Sequence, residues 1–276
     1  MGAMFRLENS WLDEWIQYHL AVGVEHFVLY NDDEETQVSD RILKPYADQG
    51  LVENIPVRCR ADILRGDVNR RQHDVYRDMI ANAAGKTQWL ALLDLDELLL
   101  PRRCDDVREL LQEYEEHDGL AVNWSIYGSS GHVRRPPTQI DHFLYRSETN
   151  WGPNQYVKSI VKPDPVILDE LCHTHIFPTR DGVTVNENHE PVHWISHAVS
   201  TEKIRINHYV VRSWQDFWEV KAKRVRFGNP PCDAAYFEDH DRNEVFDDEI
   251  SRRFGHVVRN GKSRTHDHRK LNHPFF

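Results

Sequence analysis

The chain has no apolar run of bilayer length, so no segment of it reads as a membrane-spanning helix. Cysteine is scarce: Cys59, Cys104, Cys172 and Cys232 are the only four, and no two form a Cys-x-x-Cys pair. That argues against a zinc ribbon and a disulfide framework and leaves free thiols in a reducing compartment. Basic charge is outweighed, with 34 Lys and Arg against 45 Asp and Glu and a formal net charge of -11 at pH 7. An acidic chain repels nucleic acid at long range, so nucleic acid is not an expected partner. The basic residues do gather late, in "KAKRVRFG" and "SRRFGHVVRNGKSRTHDHRK", which leaves room for a local phosphate site. There is no internal repeat and no secretory signal. The opening "MGAM" reads as an initiator followed by a tag remnant. These absences favour a cytoplasmic location, although a trimmed Golgi-luminal or membrane-associated enzyme would show the same features.

What is present is alternation. Leu12, Trp15, Ile16, His19 and Leu20 repeat at helical spacing after a Ser10–Asp13 capping pattern, and Gly23 stops the helix. "VEHFVLY" reads as a strand, residues 38–47 as a helix, "LVENIPV" as a strand and residues 68–83 as a helix. The strand "QWLALL", a helix from Val107 to Glu115 and the strand "GLAVNWSIY" follow. Such alternation implies an α/β fold with a mostly parallel sheet flanked by helices, and ligands bind at the carboxyl ends of its strands. After about residue 128 the pattern becomes loop-rich. The expectation is one domain over residues 5–228 and a charged, poorly packed extension over 229–276.

The stretch "WLALLDLDELLLP" carries the strongest chemical signal. Asp94 and Asp96 are spaced i, i+2, and on an extended segment such side chains point to one side. Two neighbouring carboxylates repel unless a cation or a shared proton lies between them. A divalent ion is the simplest solution, and oxygen ligands suit magnesium or manganese holding substrate phosphates. The plain alternative is a pair of solvated turn aspartates. A phosphohydrolase using Asp94 as nucleophile would also place an acid at a strand end. Such enzymes usually carry the motif near the chain start with Thr or Val four residues on, where this chain has Leu98.

Several blocks in order add a resemblance. "RLENSWLDEWIQYHLAVGVEHFVLYND", "DLDELLLP", "VNWSIYGSSGH", "YVKSIVKP" and "INHYVVRSWQDFWEVK" resemble the motifs of GT-A glycosyltransferases of family 92 and its family-2-like relatives. Glu8, Glu14-Trp15 and Tyr18-His19 match the opening block, while Asn31-Asp32 stand in swapped order. The resemblance implies a Rossmann-like GT-A fold, a nucleotide-sugar donor (UDP-galactose-like favoured), Mn2+ or Mg2+, transfer with inversion and a glycan acceptor. A non-catalytic glycan-binding domain of the same fold is the further alternative.

By that resemblance Asp96 is a direct metal ligand, Asp94 lies on the ribose or a metal-bound water, Glu97 supports them and His208 completes the coordination. Glu8 and Asp32 would bind uracil or ribose, and Arg70 and Arg71 the base or phosphate. Lys158, Lys221 and Arg224 would neutralise the leaving diphosphate. Asn123 and Trp124 would line the acceptor site, with the indole face against a sugar ring. Inversion needs a general base; Glu187, Glu190 and Asp181 are the candidates, with Glu187 taken first. His173 and His175, at strand spacing, would hold a second metal, line the acceptor cleft or simply pack, the last being favoured.

Overall fold

The computed structural model describes residues 1–60, 63, 68–180, 182–223 and 232–259. Asp181 and Arg224 therefore lie outside the described residues, as do 229–231 and 260–276 of the expected extension. The chain runs β1 (Gly2–Phe5), α1 (Asn9–Ala21), β2 (Phe27–Asn31), α2 (Gln37–Ala47), β3 (Val52–Pro56), α3 (Val68–Ala83), β4 (Leu90–Ala91) and β5 (Glu97–Pro101). It continues through α4 (Val107–Leu111), β6 (Gly119–Ile126), β7 (Tyr145–Arg146), β8 (Val157–Val161), β9 (Thr184–Val185) and β10 (Ile204–His208). It closes with α5 (Trp214–Glu219), α6 (Ala234–His240), β11 (Val245–Phe246) and α7 (Glu249–Arg259).

Strands β1, β2 and β3 pair in parallel. Gly2 bridges Leu92 in parallel, and Leu93 N donates to Gly2 O at 3.1 Å, which joins this sheet to the next. The combined order is β3-β2-β1-β4-β8-β6-β10-β5. Its first four strands take the 3-2-1-4 order of a nucleotide-binding α/β half, so the order reverses between β1 and β4. The α/β class expected from the alternation is what is seen. The sheet is more mixed than expected, because β8 runs antiparallel to both β4 and β6, and β5 antiparallel to β10.

Three local readings are corrected. Gly2–Met4 of "MGAM", read as an initiator and tag remnant, belong with Phe5 to strand β1, in which Ala3 and Phe5 are buried. A Cβ on Gly2 would lie 2.7 Å from Met79 Sδ and 2.9 Å from Leu92 Cδ2, so α3 packs where only hydrogen fits without movement. The Ser10 cap is not formed: α1 begins at Asn9 after Glu8, with no side-chain cap. The described part of the expected tail is core. Ile250, Phe254 and Val257 recur at i, i+4 and i+7 of α7 and are buried, and Phe254 meets Tyr18 edge-on at 5.5 Å.

Helix α1 does more than bury its apolar face. Strand β5 is an edge strand, and its outer backbone groups need partners. Trp15 Nε1 donates to Glu97 O at 2.9 Å, and Tyr18 Oη to Leu99 O at 2.8 Å. Leu99 N donates to His19 Nε2 at 3.2 Å while His19 Nδ1 donates to Trp15 O at 2.9 Å. Trp15, Tyr18 and His19 thus form a side-chain comb that closes the sheet edge. This role requires neutral imidazole, and burial lowers the His19 pKa from 6.5 to about 3. Between those values the unfolded chain binds the proton and the native state does not, so stability is full above pH 6.5 and falls as the pH drops. At about 1.4 kcal/mol per pH unit, wild type should lose about 2 kcal/mol more than His19→Gln between pH 7 and pH 5 in urea unfolding. Equal losses would show that His19 does not hold the edge as a neutral acceptor.

Candidate active site

Asp94, Leu95 and Asp96 follow β4 at the carboxyl edge of the sheet, close to the reversal of strand order. They form a turn, not the extended segment expected, because Glu97 N folds back to Asp94 O at 3.0 Å. The i, i+2 argument for a common direction therefore does not apply here. The turn is pinned through all three carbonyls: Tyr209 N donates to Asp96 O at 2.8 Å and Arg212 Nη2 to Leu95 O at 2.7 Å. Arg212 is buried, adopts φ of 53°, pairs with Glu8 and donates to Gln139 Oε1 at 3.2 Å. It ties the end of β1 to the acidic turn, a task that no local sequence signal announced.

Each aspartate is held by its own lysine. Asp94 Oδ2 lies 2.9 Å from Lys158 Nζ, and its Oδ1 accepts from Gln72 Nε2 at 3.2 Å. Asp96 Oδ2 lies 2.9 Å from Lys221 Nζ, and its Oδ1 is 3.7 Å from His208 Nε2. Glu97 is wholly buried, and its Oε2 accepts from Asp94 N at 2.8 Å. Burial works against the Lys158 ammonium, but Asp94 and Glu97 more than offset it and hold its pKa well above the ordinary lysine range. Burial lowers the His208 pKa, so its ring is neutral at pH 7. Among the described residues, no group of three or more His, Cys, Asp or Glu is placed to hold one metal ion.

His208 ends β10 and pairs in register with Glu97 on one side and Ile126 on the other. That register, set by strands far apart in sequence, brings the late "INHY" block to the acidic turn. Trp124 on β6 stands against the His208 ring at 4.4 Å between centroids. Nδ1 of His208 and Nε1 of Trp124 are buried and have no hydrogen-bond partner among the described residues.

Other expected residues stand elsewhere. Asp32 is sealed between Arg58 Nε at 3.0 Å and Arg71 Nη2 at 3.1 Å, while Arg70 is exposed. Glu8, committed to Arg212, is buried too, so neither acid is presented to a base or ribose. Asn123 is buried and donates to Asn154 O at 3.0 Å, so it braces a loop in place of meeting an acceptor. Glu187 accepts from the backbone N–H of Glu202, Lys203 and Ile204 at 2.8–3.0 Å and from the Ser200 hydroxyl. Ile204 opens β10 and His208 ends it, so Glu187 clamps the end of the strand away from the acidic turn. Its carboxylate is thus spent on the backbone of that end and on Ser200. Glu190 is exposed and accepts from Asn186 beside it.

The fold and this edge define an α/β domain that gathers acidic, basic and imidazole groups where nucleotide-binding sheets take their ligands. The chain belongs to glycosyltransferase family 92, whose family model matches residues 1–253. It is 25% identical over 228 residues to a family 92 protein of Ricinus communis, covering 80% of this chain and 37% of that one. A family 92 protein of Oryza sativa subsp. japonica is 22% identical over 236 residues, covering 80% and 35%. The chain thus spans little more than a third of these relatives' length. Among solved structures it is similar to HddC from Yersinia pseudotuberculosis, at TM-score 0.33 and 10% identity, covering 75% of this chain and 76% of that one. The mannosyltransferase Ktr4p from S. cerevisiae follows at TM-score 0.27 and 14% identity, covering 49% and 41%. Family membership displaces the phosphohydrolase reading of Asp94. Among the described residues, no helix is long and apolar enough to cross a membrane.

Proposed function

We propose that the protein transfers a hexose from a nucleotide sugar to a hydroxyl of a glycan acceptor, with inversion and with the help of Mn2+ or Mg2+. The observation that carries the reading is the pairing of Asp96 and His208 at the edge where the strand order reverses. A carboxylate oxygen and a neutral imidazole nitrogen stand 3.7 Å apart there, too far for a hydrogen bond. Two donors bound to one ion at about 2.1 Å span roughly 3.0–4.2 Å, so the pair fits a divalent cation. Two protein ligands suffice for an ion that takes substrate phosphates as its others. Bound there, such an ion would neutralise charge on the departing diphosphate.

The chain's own groups supply the rest. Lys221, now on Asp96, is placed to turn to the diphosphate when the acid takes a cation. Lys158 stays with Asp94 and fixes the turn's first carboxylate. A UDP-galactose-like donor is the favoured substrate, on the family resemblance.

Thermal shift with nucleotides, with and without Mn2+, tests this. A nucleotide diphosphate at a hundred times its Kd stabilises by about 2.7 kcal/mol, which raises Tm by roughly 5–10 °C in a protein of this size. The rise should require Mn2+ and be greatest for uridine nucleotides. Indifference to every nucleotide would overturn the reading, and glycan binding without nucleotide binding would favour a non-catalytic domain.

A further inference from the structure

The acids expected to deprotonate the acceptor are clamped, exposed beyond the site or outside the described residues, yet the transfer just proposed needs a base. We infer that His175 takes the proton of the acceptor hydroxyl through its Nε2, on an aromatic wall that begins at His208. The inference rests on the glycosyltransferase reading and adds to it a residue and a binding surface.

The geometry starts with the tautomer. His175 Nδ1 lies 2.7 Å from Val157 O, and a carbonyl oxygen only accepts, so the proton is on Nδ1. In the neutral ring Nε2 then carries the lone pair. Nε2 has no hydrogen-bond partner among the described residues and is not fully enclosed. The backbone that carries the ring is fixed as well, because Ser159 Oγ donates to His175 O at 2.6 Å. An imidazole whose Nδ1–H is anchored to the backbone and whose Nε2 is open is a base oriented in advance.

Its neighbours give the ligand class. Trp124 lies 5.6 Å from His175 between ring centroids and 4.4 Å from His208, so one indole separates this ring from the proposed cation ligand. Tyr156 at 5.8 Å and Trp194 at 6.0 Å continue the wall outward. Tyr156 is 38% exposed and Trp194 48% exposed, large aromatic faces open to solvent beside a polar edge. Flat apolar faces next to hydrogen-bonding groups suit the apolar face of a sugar ring, the substrate class a glycan acceptor supplies.

Burial lowers the His175 pKa from 6.5 to about 4, so the ring is unprotonated throughout the neutral range. Such a base resembles an ordinary carboxylate in strength. Lys158, Asp94 and His173 are the titratable groups acting on it. The step balances without a further reactant. The acceptor O–H proton goes to Nε2, and the oxygen's electron pair forms the new bond to the anomeric carbon. The bond from that carbon to the phosphate oxygen breaks, and its pair leaves with the nucleoside diphosphate. The imidazolium then returns its proton to solvent.

Two variants separate the roles of the ring nitrogens. His175→Asn keeps a donor near Val157 O and removes Nε2; His175→Gln places a non-basic amide near Nε2. Each should cut the transfer rate at saturating acceptor at least 100-fold, while Mn2+-dependent binding of the nucleotide stays within 3-fold of wild type. Imidazole added to His175→Ala should restore at least 10-fold of the lost rate, which a merely structural histidine would not allow. Trp194→Ala should raise the acceptor KM at least 10-fold with a smaller change in kcat. Transfer within 3-fold of wild type in both His175→Asn and His175→Gln would overturn the base. If the substituted proteins fail to fold, Trp194→Ala with unchanged acceptor KM overturns the surface, and the base assignment falls with it. A wild-type protein that binds no nucleotide sugar fails the glycosyltransferase reading itself, a result distinct from all of these.

Discussion

Asp96→Asn should lower kcat/KM for sugar transfer by about a thousandfold or more. The substitution keeps the side chain's volume and removes its charge at a carboxylate that is almost fully buried, faces His208 Nε2 at 3.7 Å and holds Lys221 Nζ at 2.9 Å. Loss of one of two protein ligands to a cation that stabilises the departing diphosphate costs several kcal/mol, and about 4 kcal/mol is a factor of a thousand. The nucleotide-dependent thermal shift in Mn2+ should vanish with it, while the Tm of the free protein changes by only a few degrees. Asp94→Asn should behave differently. Its carboxylate is matched to Lys158 within the protein, so the turn should loosen and the protein lose stability as well as rate. Asp96→Asn turning over within tenfold of wild type would remove the cation pair from the reading.

Asp247→Asn should destabilise the fold by about 3–5 kcal/mol and lower Tm by roughly 10 °C. Asp247 takes two charge-assisted hydrogen bonds from Arg205, at 2.8 Å each, and one from Arg146 at 2.8 Å. Arg205 is the second residue of β10 and is 2% exposed. Removing the carboxylate leaves a buried guanidinium whose nearest remaining carboxylate is Glu249, at 3.7 Å, which costs more than the pair contributed. Burial alone would raise the Asp247 pKa, but hydrogen bonds from Arg205 and Arg146 win and hold it well below the usual carboxylate range. Its contribution is therefore full above the ordinary aspartate pKa near 3.8 and is lost as the pH falls through the depressed native value. Urea unfolding at pH 7 checks the magnitude; a change under 1 kcal/mol would show that β10 does not depend on this anchor. The prediction also tests whether residues beyond 228 belong to the domain, since Asp247 precedes α7.

Periodicity in the first half was readable because each helix buries one stripe against a sheet. The helices over 68–83 and near 107–115 and the strand over 119–126 stand where apolar spacing places them. The capping pattern at Ser10 misled: Glu8 occupies the N-cap position with its carboxylate drawn away to Arg212, and the helix begins two residues early. Charge hid α7: Ile250, Phe254 and Val257 lie among arginines and acids, and only docking onto α1 shows them as a stripe. Strand β1 was missed for a similar reason, since four residues are too few to show a period.

In the site, the acidic triplet and the "INHY" histidine were legible as residue types. Their relation was not, because the register of β10 against β5 is a long-range property. The base was sought among carboxylates, as acids are the usual choice. A histidine becomes a candidate only once its Nδ1 is seen to be spent on Val157 O and its Nε2 left open.

By itself the sequence determined the α/β alternation, the family's blocks and the acidic turn as the place to look, since these follow from residue type and short-range spacing. Tertiary structure alone decided that Lys158 and Lys221 divide the two aspartates between them, that Glu187 is a clamp, and that α1 closes the sheet edge. Such outcomes depend on which buried charges and backbone groups find partners, 13–17 residues away for Glu187 and 64–125 for the two lysines and α1, distances over which no spacing rule operates.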